Sequence, residues 1–245
     1  MLEPRRVAAR AAAGFMAKQL GEAVGDTVGY RIRFENKVSA RTRIEVVTEG
    51  ILTRMLQDDP TLGEGRLDGI GALLFDEFHE RHLAGDLGLA LALDVQSSLR
   101  EELRIVAMSA TLDGDRLAGF LEAPRLSSEG RSYPVAISHF PARRDESLEA
   151  QTRRAIEEAL QEHSGDVLVF LPGQREIVRV ERALDEAASL AKQGVLVLPL
   201  HGELSIEQQS AALQSDPQGR RRVVLATNVA ESSVTLPGVR VVIDS

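Results

Sequence analysis

Short apolar runs alternate along this chain with stretches whose apolar residues recur every three or four positions. That alternation predicts a layered α/β protein with parallel sheets rather than a sandwich or a helical bundle. The runs place strands at 28–34, 44–47, 71–75, 103–108, 166–171, 195–200, 222–226 and 239–243. Between them, Leu148, Thr152, Ala155, Ile156, Ala159 and Leu160 fall on one helical face, and Ile177, Val180, Leu184, Ala187 and Ala191 on another. From Ala123 to Glu146 both periods lapse: Pro124, Gly130, Pro134 and Pro141 recur, and the charged run Arg143-Arg144-Asp145-Glu146 closes the stretch. Such punctuation predicts a linker, and with it two units, 1–140 and 141–245.

Several predicted strands stop abruptly on polar groups. Ile70-Gly71-Ala72-Leu73-Leu74-Phe75 runs directly into Asp76-Glu77-Phe78-His79. In a parallel sheet, ligands bind beyond the carboxyl ends of the strands, so two carboxylates there can reach a Mg²⁺ ion and a nucleotide phosphate. The dipeptide alone fits a solvated helix start equally well, with acids at the positive end of the dipole. Leu103–Met108 ends in Ser109-Ala110-Thr111, and Val223–Ala226 delivers Thr227-Asn228 followed by Glu231, Ser232, Ser233 and Thr235. Each hydroxyl also fits a helix N-cap when taken singly. Together these strand ends bring carboxylates, hydroxyls and one imidazole to what reads as one kind of sheet edge.

In this order and spacing the residues resemble the DEAH-box group of superfamily 2 RNA helicases, and Phe78 at the third position of its tetrapeptide resembles the bacterial HrpB-type branch. Leu2–Arg10 is similar to motif Ia of that family, Val28–Lys37 to its hook-turn segment, and Thr48-Glu49-Gly50 to motif Ib. Asp76–His79 is similar to motif II, Ser109–Thr111 to motif III and Phe170–Ile177 to motif IV. Leu200–Leu204, with Gln208 and Gln209, resembles the next family block, and Ala226–Pro237 resembles motif V. The resemblance implies two RecA-like parallel-sheet lobes, both incomplete. The Gly-rich loop that ends in Gly-Lys-Ser/Thr and cradles phosphate is absent: the only lysines are Lys18, Lys37 and Lys192. Family motif VI would follow Asp244-Ser245. The expectation is therefore an internal fragment of a longer helicase, inactive by itself.

By this resemblance ATP and Mg²⁺ are the cofactors. Asp76 and Glu77 serve the metal, Glu77 activates the lytic water, and His79 links the nucleotide site to the second lobe. Ser109 and Thr111 tie motif II to the second lobe, Ser233 senses the γ-phosphate or its water, and Thr235 lies near the nucleotide. Pro237 stands where many relatives carry a ribose-binding Asp. Single-stranded RNA is the implied partner, held through its backbone by Arg5, Arg6, Arg33, Thr48, Gly173 and Thr227. Phe34 reads either as a hook-turn aromatic near RNA or as a core residue. A non-catalytic RNA-binding or partner-docking module, and a DNA translocase of the same superfamily, are the alternatives.

The net charge of −8 changes the picture only through its distribution. Residues 1–45 carry nine Lys/Arg against five acids, a local excess of the kind a phosphate-tracking surface needs, since affinity follows local cations rather than overall pI. Basic residues are nearly all Arg, so part of that excess fits a compositional bias. Cysteine is absent, which excludes disulfides and thiolate metal sites. No apolar leader or membrane-length apolar run occurs, and the expected location is cytoplasmic.

Overall fold

A computed structural model describes residues 1–63, 69–110, 114–128, 130, 133–186, 194–231 and 234–245. The chain forms two compact units, Met1–Ser132 and Tyr133–Ser245, each organised around its own sheet.

The first unit contains strands β1 (Leu2–Glu3), β2 (Val28–Ile32), β3 (Glu35–Lys37), β4 (Ile44–Thr48), β5 (Ala72–Phe75) and β6 (Arg104–Ala107) in the spatial order β3-β2-β4-β1-β5-β6. All pairs are parallel except β2 with β3. Two of these strands escape the sequence pattern: β1 and β3 are too short to show a period. The run predicted at 28–34 ends at Ile32, because Arg33-Phe34 forms a two-residue turn into β3, with Ile32 paired to Glu35. Helix α1 (Arg6–Leu20) packs Ala9, Ala13 and Ala17 against Val28, Tyr30, Ile32 and Val46. Small side chains bring it close to the sheet, and Ala has the highest helix propensity. The helix ends on Gly21, whose left-handed φ of 70° lets its N–H reach back to the carbonyls of Ala17 and Lys18. Helices α2 (Glu49–Asp58) and α3 (Leu83–Ser98) flank another part of the core, where Leu52, Leu56, Leu89, Ala92 and Val95 meet Leu2, Val47, Leu73, Phe75 and Phe78. A short helix α4 (Gly114–Leu121) follows.

The second unit contains α5 (Leu148–Glu162), β7 (Asp166–Phe170), α6 (Gln174–Asp185), β8 (Leu196–Leu200), α7 (Ile206–Leu213), β9 (Arg222–Ala226) and β10 (Val239–Asp244). Its four strands are parallel, in the order β10-β7-β9-β8. The predicted face of α5 is buried at Thr152, Ala155, Ile156, Ala159 and Leu160, and that of α6 at Ile177, Val180 and Leu184. Ala187 and Ala191 lie outside the described residues. Parallel strands covered on both faces read as continuous apolar runs, and all of β9 is buried, including Arg222 at 1 % exposure. Arg222 Nη2 sits 2.7 Å from Asp166 Oδ2 at the start of β7, and its guanidinium also donates to the carbonyls of Ala212, Gln214 and Pro237. Gly238, at a φ of 90°, packs beside that carboxylate: a Cβ there would stand 2.9 Å from Asp166 Oδ2.

Candidate functional site

Strand register determines what can meet at the carboxyl edge of the first sheet. Glu3 lies opposite Thr48, Leu2 opposite both Val47 and Phe75, and Phe75 opposite Ala107. Read across β2, β4, β1, β5 and β6, the edge therefore presents Arg33, Thr48, Glu3, Asp76 and Met108-Ser109. Backbone bonds carry the register past the strand ends: Asp76 N–H donates to the Leu2 carbonyl at 3.1 Å and Phe78 N–H to the Met108 carbonyl at 3.0 Å.

The chain turns sharply after Asp76. Glu77 adopts a φ of 49° and Arg81 a φ of 51°, left-handed conformations that cost a non-glycine residue on the order of 1–3 kcal/mol each. Asp76 Oδ1 accepts the Glu77 N–H at 2.8 Å, Phe78 is buried with its ring edge-on to Phe75, and Arg81 stacks its guanidinium on Phe78. His79 Nδ1 lies 3.4 Å from Glu77 Oε2, without the alignment of a hydrogen bond. These contacts hold both carboxylates half-buried where β5 ends.

Glu3 is the residue that sequence reasoning passed over. It is 3 % exposed, and its Oε2 has no hydrogen-bond partner among the described residues. Burial, then the neighbouring carboxyl of Asp76, then Glu77, push its carboxyl up to about 8. Three carboxyl groups thus crowd one spot, where Glu3 stays protonated at neutral pH. The adjacent Asp76 and Glu77 fit a divalent cation. Among the described residues no group of three His, Cys, Asp or Glu side chains forms a metal cage.

A second cluster braces the same loop. Glu80 Oε2 takes Arg5 Nη2 at 3.3 Å and His82 Nε2 at 2.9 Å, and His82 Nδ1 lies 3.8 Å from Glu49 Oε1. Burial holds the Glu49 carboxyl above the usual range, opposed by His82 and reinforced by Glu80 and Asp86. Gly85 of α3 makes room for Glu49: a Cβ there would meet its Oε1 at 2.7 Å. Arg5 thus pairs with Glu80, the residue that follows Asp76–His79. Arg6 and Arg33 are exposed. Phe34 is not a core residue; it is 90 % exposed at the tip of the β2–β3 turn.

In the second unit, the carboxyl edge presents Ser245, Gly173, Thr227 and His201 from β10, β7, β9 and β8. Gly173 is the extended residue preceding α6, and Thr227 caps the 3-10 turn Asn228–Ala230 without a side-chain cap bond. Thr227 N–H donates to the Leu200 carbonyl at 3.3 Å, tying β9 to β8. His201, given no role from sequence, meets Gln174 across the edge at 2.9 Å. Thr235 is exposed. Thr111 and Ser233 lie outside the described residues.

Comparison with known proteins follows the same lines as this geometry. Residues 151–245 match the helicase conserved C-terminal domain family. The whole chain is 51% identical to the ATP-dependent RNA helicase HrpB of Escherichia coli, covering 29% of it. Over 99% of the chain it is 37% identical to the ATP-dependent RNA helicase HrpA homologue of Haemophilus influenzae, covering 18% of that protein. A crystal structure of E. coli DEAH/RHA helicase HrpB superposes at a TM-score of 0.88 with 51% identity, over 99% of this chain and 30% of that one. A second, described as DExH-box NTPase HrpB, gives 0.75 and 49% over 100% of this chain and 29% of that one. With its mixed α/β units and parallel sheets, this chain is similar over its whole length to one stretch of the HrpB DEAH/RHA helicase, and it spans 29% of the length of that E. coli protein.

Proposed function

We propose that this chain works within an ATP-dependent RNA helicase, its first unit serving as the ATP-binding type of RecA-like lobe and its second as the C-terminal type. The observation that carries the reading is the crowding of Asp76, Glu77 and buried Glu3 at the end of β5, beside an edge that also presents Thr48 and Arg33.

Asp76 would hold Mg²⁺ through water, and Glu77 would accept the proton of the attacking water. Bound Mg-ATP supplies the electrophilic phosphorus and counter-charge for the acids. Phosphoryl transfer is mainly positioning and charge neutralisation, which suits a loop held rigid by two left-handed residues and the Arg5–Glu80–His82 cluster. Ser109, Thr111, Ser233 and Thr235 complete the nucleotide side of this reading, and His79 bears on Glu77. Single-stranded RNA is proposed to contact Arg6, Arg33 and Thr48 on the first unit, and Gly173 and Thr227 on the second. Arginine forks grip phosphate and backbone amides at strand ends add contacts that carry no sequence information. Arg5 belongs to this set as well, its guanidinium also pairing with Glu80.

The test uses the full-length protein that carries this chain. ATP hydrolysis should be stimulated by single-stranded RNA more than by DNA. Glu77→Gln should keep ATP binding and lower turnover by about 10²-fold or more, as loss of a general base does. Hydrolysis indifferent to RNA, or a variant with normal turnover, would sink the reading.

A further inference from the structure

Phe34 presents a problem that folding alone does not answer. Its ring is 90 % exposed, so it adds nothing to the core, and its backbone sits at a φ of 68°, a conformation that bulky side chains rarely adopt. Two-residue turns between antiparallel strands favour Gly or Asn where φ is positive. Something must hold this turn in place.

Glu35, the next residue, is gripped from two directions. Its Oε1 accepts the Tyr30 hydroxyl, and its Oε2 accepts Arg10 Nη1 at 3.0 Å. Tyr30 is buried in the middle of β2 and Arg10 lies on α1, so both partners belong to elements anchored in the core. The Ile32–Glu35 pairing closes the ladder just behind the turn. In front of it, the Arg33 guanidinium lies 4.7 Å from the centroid of the Phe34 ring, so a cation and a flat apolar face project as one unit. That combination matches a nucleotide, phosphate to the fork and base to the ring.

We propose that Glu35 is a positioning residue: clamped by Tyr30 and Arg10, it holds the Arg33-Phe34 turn so that the aromatic ring meets a base of bound single-stranded RNA. The inference rests on the RNA-binding reading above. It gives Arg10, a member of the basic N-terminal stretch, a place in the clamp.

The chain contains no tryptophan, so Phe34→Trp places a sole indole reporter at the turn. Time-resolved fluorescence anisotropy of this variant is compared with the same chain carrying Glu35→Ala or Glu35→Gln, each checked for folding by circular dichroism. Should Glu35→Ala fail to fold, Tyr30→Phe removes one grip and leaves the rest. Losing the clamp should add fast local motion of the indole, while Gln, whose one amide oxygen can still accept from Arg10 and whose NH2 can donate to the Tyr30 hydroxyl, should suppress part of it. Titration with an oligouridylate should quench the indole, with affinity about tenfold weaker for the Ala variant, the scale of one lost base stack, and within about threefold of the parent for Gln. Unchanged local motion in a folded Ala variant overturns the clamp. Greater motion with unchanged RNA affinity overturns the presentation of the ring to a base. If the Phe34→Trp parent binds no RNA while its motion still responds to Glu35, the RNA-binding reading fails and the clamp stands.

Discussion

Glu3→Gln should remove most of a pH dependence from the stability of the first unit. Glu3 is buried on β1, and burial, Asp76 and Glu77 raise its carboxyl from 4.5 to about 8. The folded state therefore retains a proton that the unfolded chain has released, and stability falls as pH climbs from the unfolded value through the folded one. Within that window a single such group changes stability by about 1.4 kcal/mol per pH unit, and above it the loss levels off. From about pH 6 to about pH 7.5 the native sequence should thus lose roughly 2 kcal/mol relative to the Gln variant. At about 2–4 °C per kcal/mol this is a fall in Tm of roughly 4–8 °C. Two other groups titrate nearby: burial lowers the Met1 amine and raises Glu49. Relief of the buried Met1 charge favours folding as pH rises, the opposite of Glu3, and Glu49 acts with Glu3 in sign; Glu49 is common to the two proteins and drops out of the difference, whereas the Met1 amine, which Glu3 raises, is lowered further in the variant and widens it. The assay is thermal unfolding followed by circular dichroism at the two pH values, with chelator present to exclude divalent ions. Equal pH slopes for the native sequence and the variant would refute the argument that Glu3 is held neutral by its neighbours.

Arg222→Ala should destabilise the second unit by roughly 3–5 kcal/mol in urea unfolding, because it leaves the Asp166 carboxylate buried without its partner; a loss below about 1 kcal/mol would show that the pair is solvated. For RNA binding, Arg33→Ala should reduce the slope of log affinity against log salt by about 0.7, the yield of one lost phosphate contact on a single strand. Thr227→Val should weaken binding without changing that slope, since a hydroxyl displaces no counterion; a changed slope would count against a direct hydroxyl contact. Arg5→Ala should change the slope less than Arg33→Ala, because Arg5 is already paired with Glu80, and filter binding at several salt concentrations ranks the two.

Much of the layered fold is written locally. Runs such as Val167–Val169 and Val223–Ala226 are apolar because both faces of their strands are buried, and the three-to-four spacing in α5 and α6 follows from burial of one helical face. Those patterns lie within a few consecutive residues, so they survive without knowledge of neighbours. The acids and hydroxyls after Phe75, Met108 and Ala226 were legible for the same reason: they interrupt an apolar run. What the chain could not show by itself was who stands next to whom. Strand β1 has two residues and no period, yet its register against β4 and β5 brings Glu3 beside Asp76 and creates the crowded acids. Arg5 finds Glu80 across a sequence separation of 75, and Arg10 finds Glu35 across 25, partners that no local pattern announces. Phe34 left two readings open, and only the turn into β3 decided that its ring faces solvent. Hydrophobic periodicity is a property of single elements. The site depends on parallel pairing between strands far apart in sequence, and that information exists only once the elements have packed.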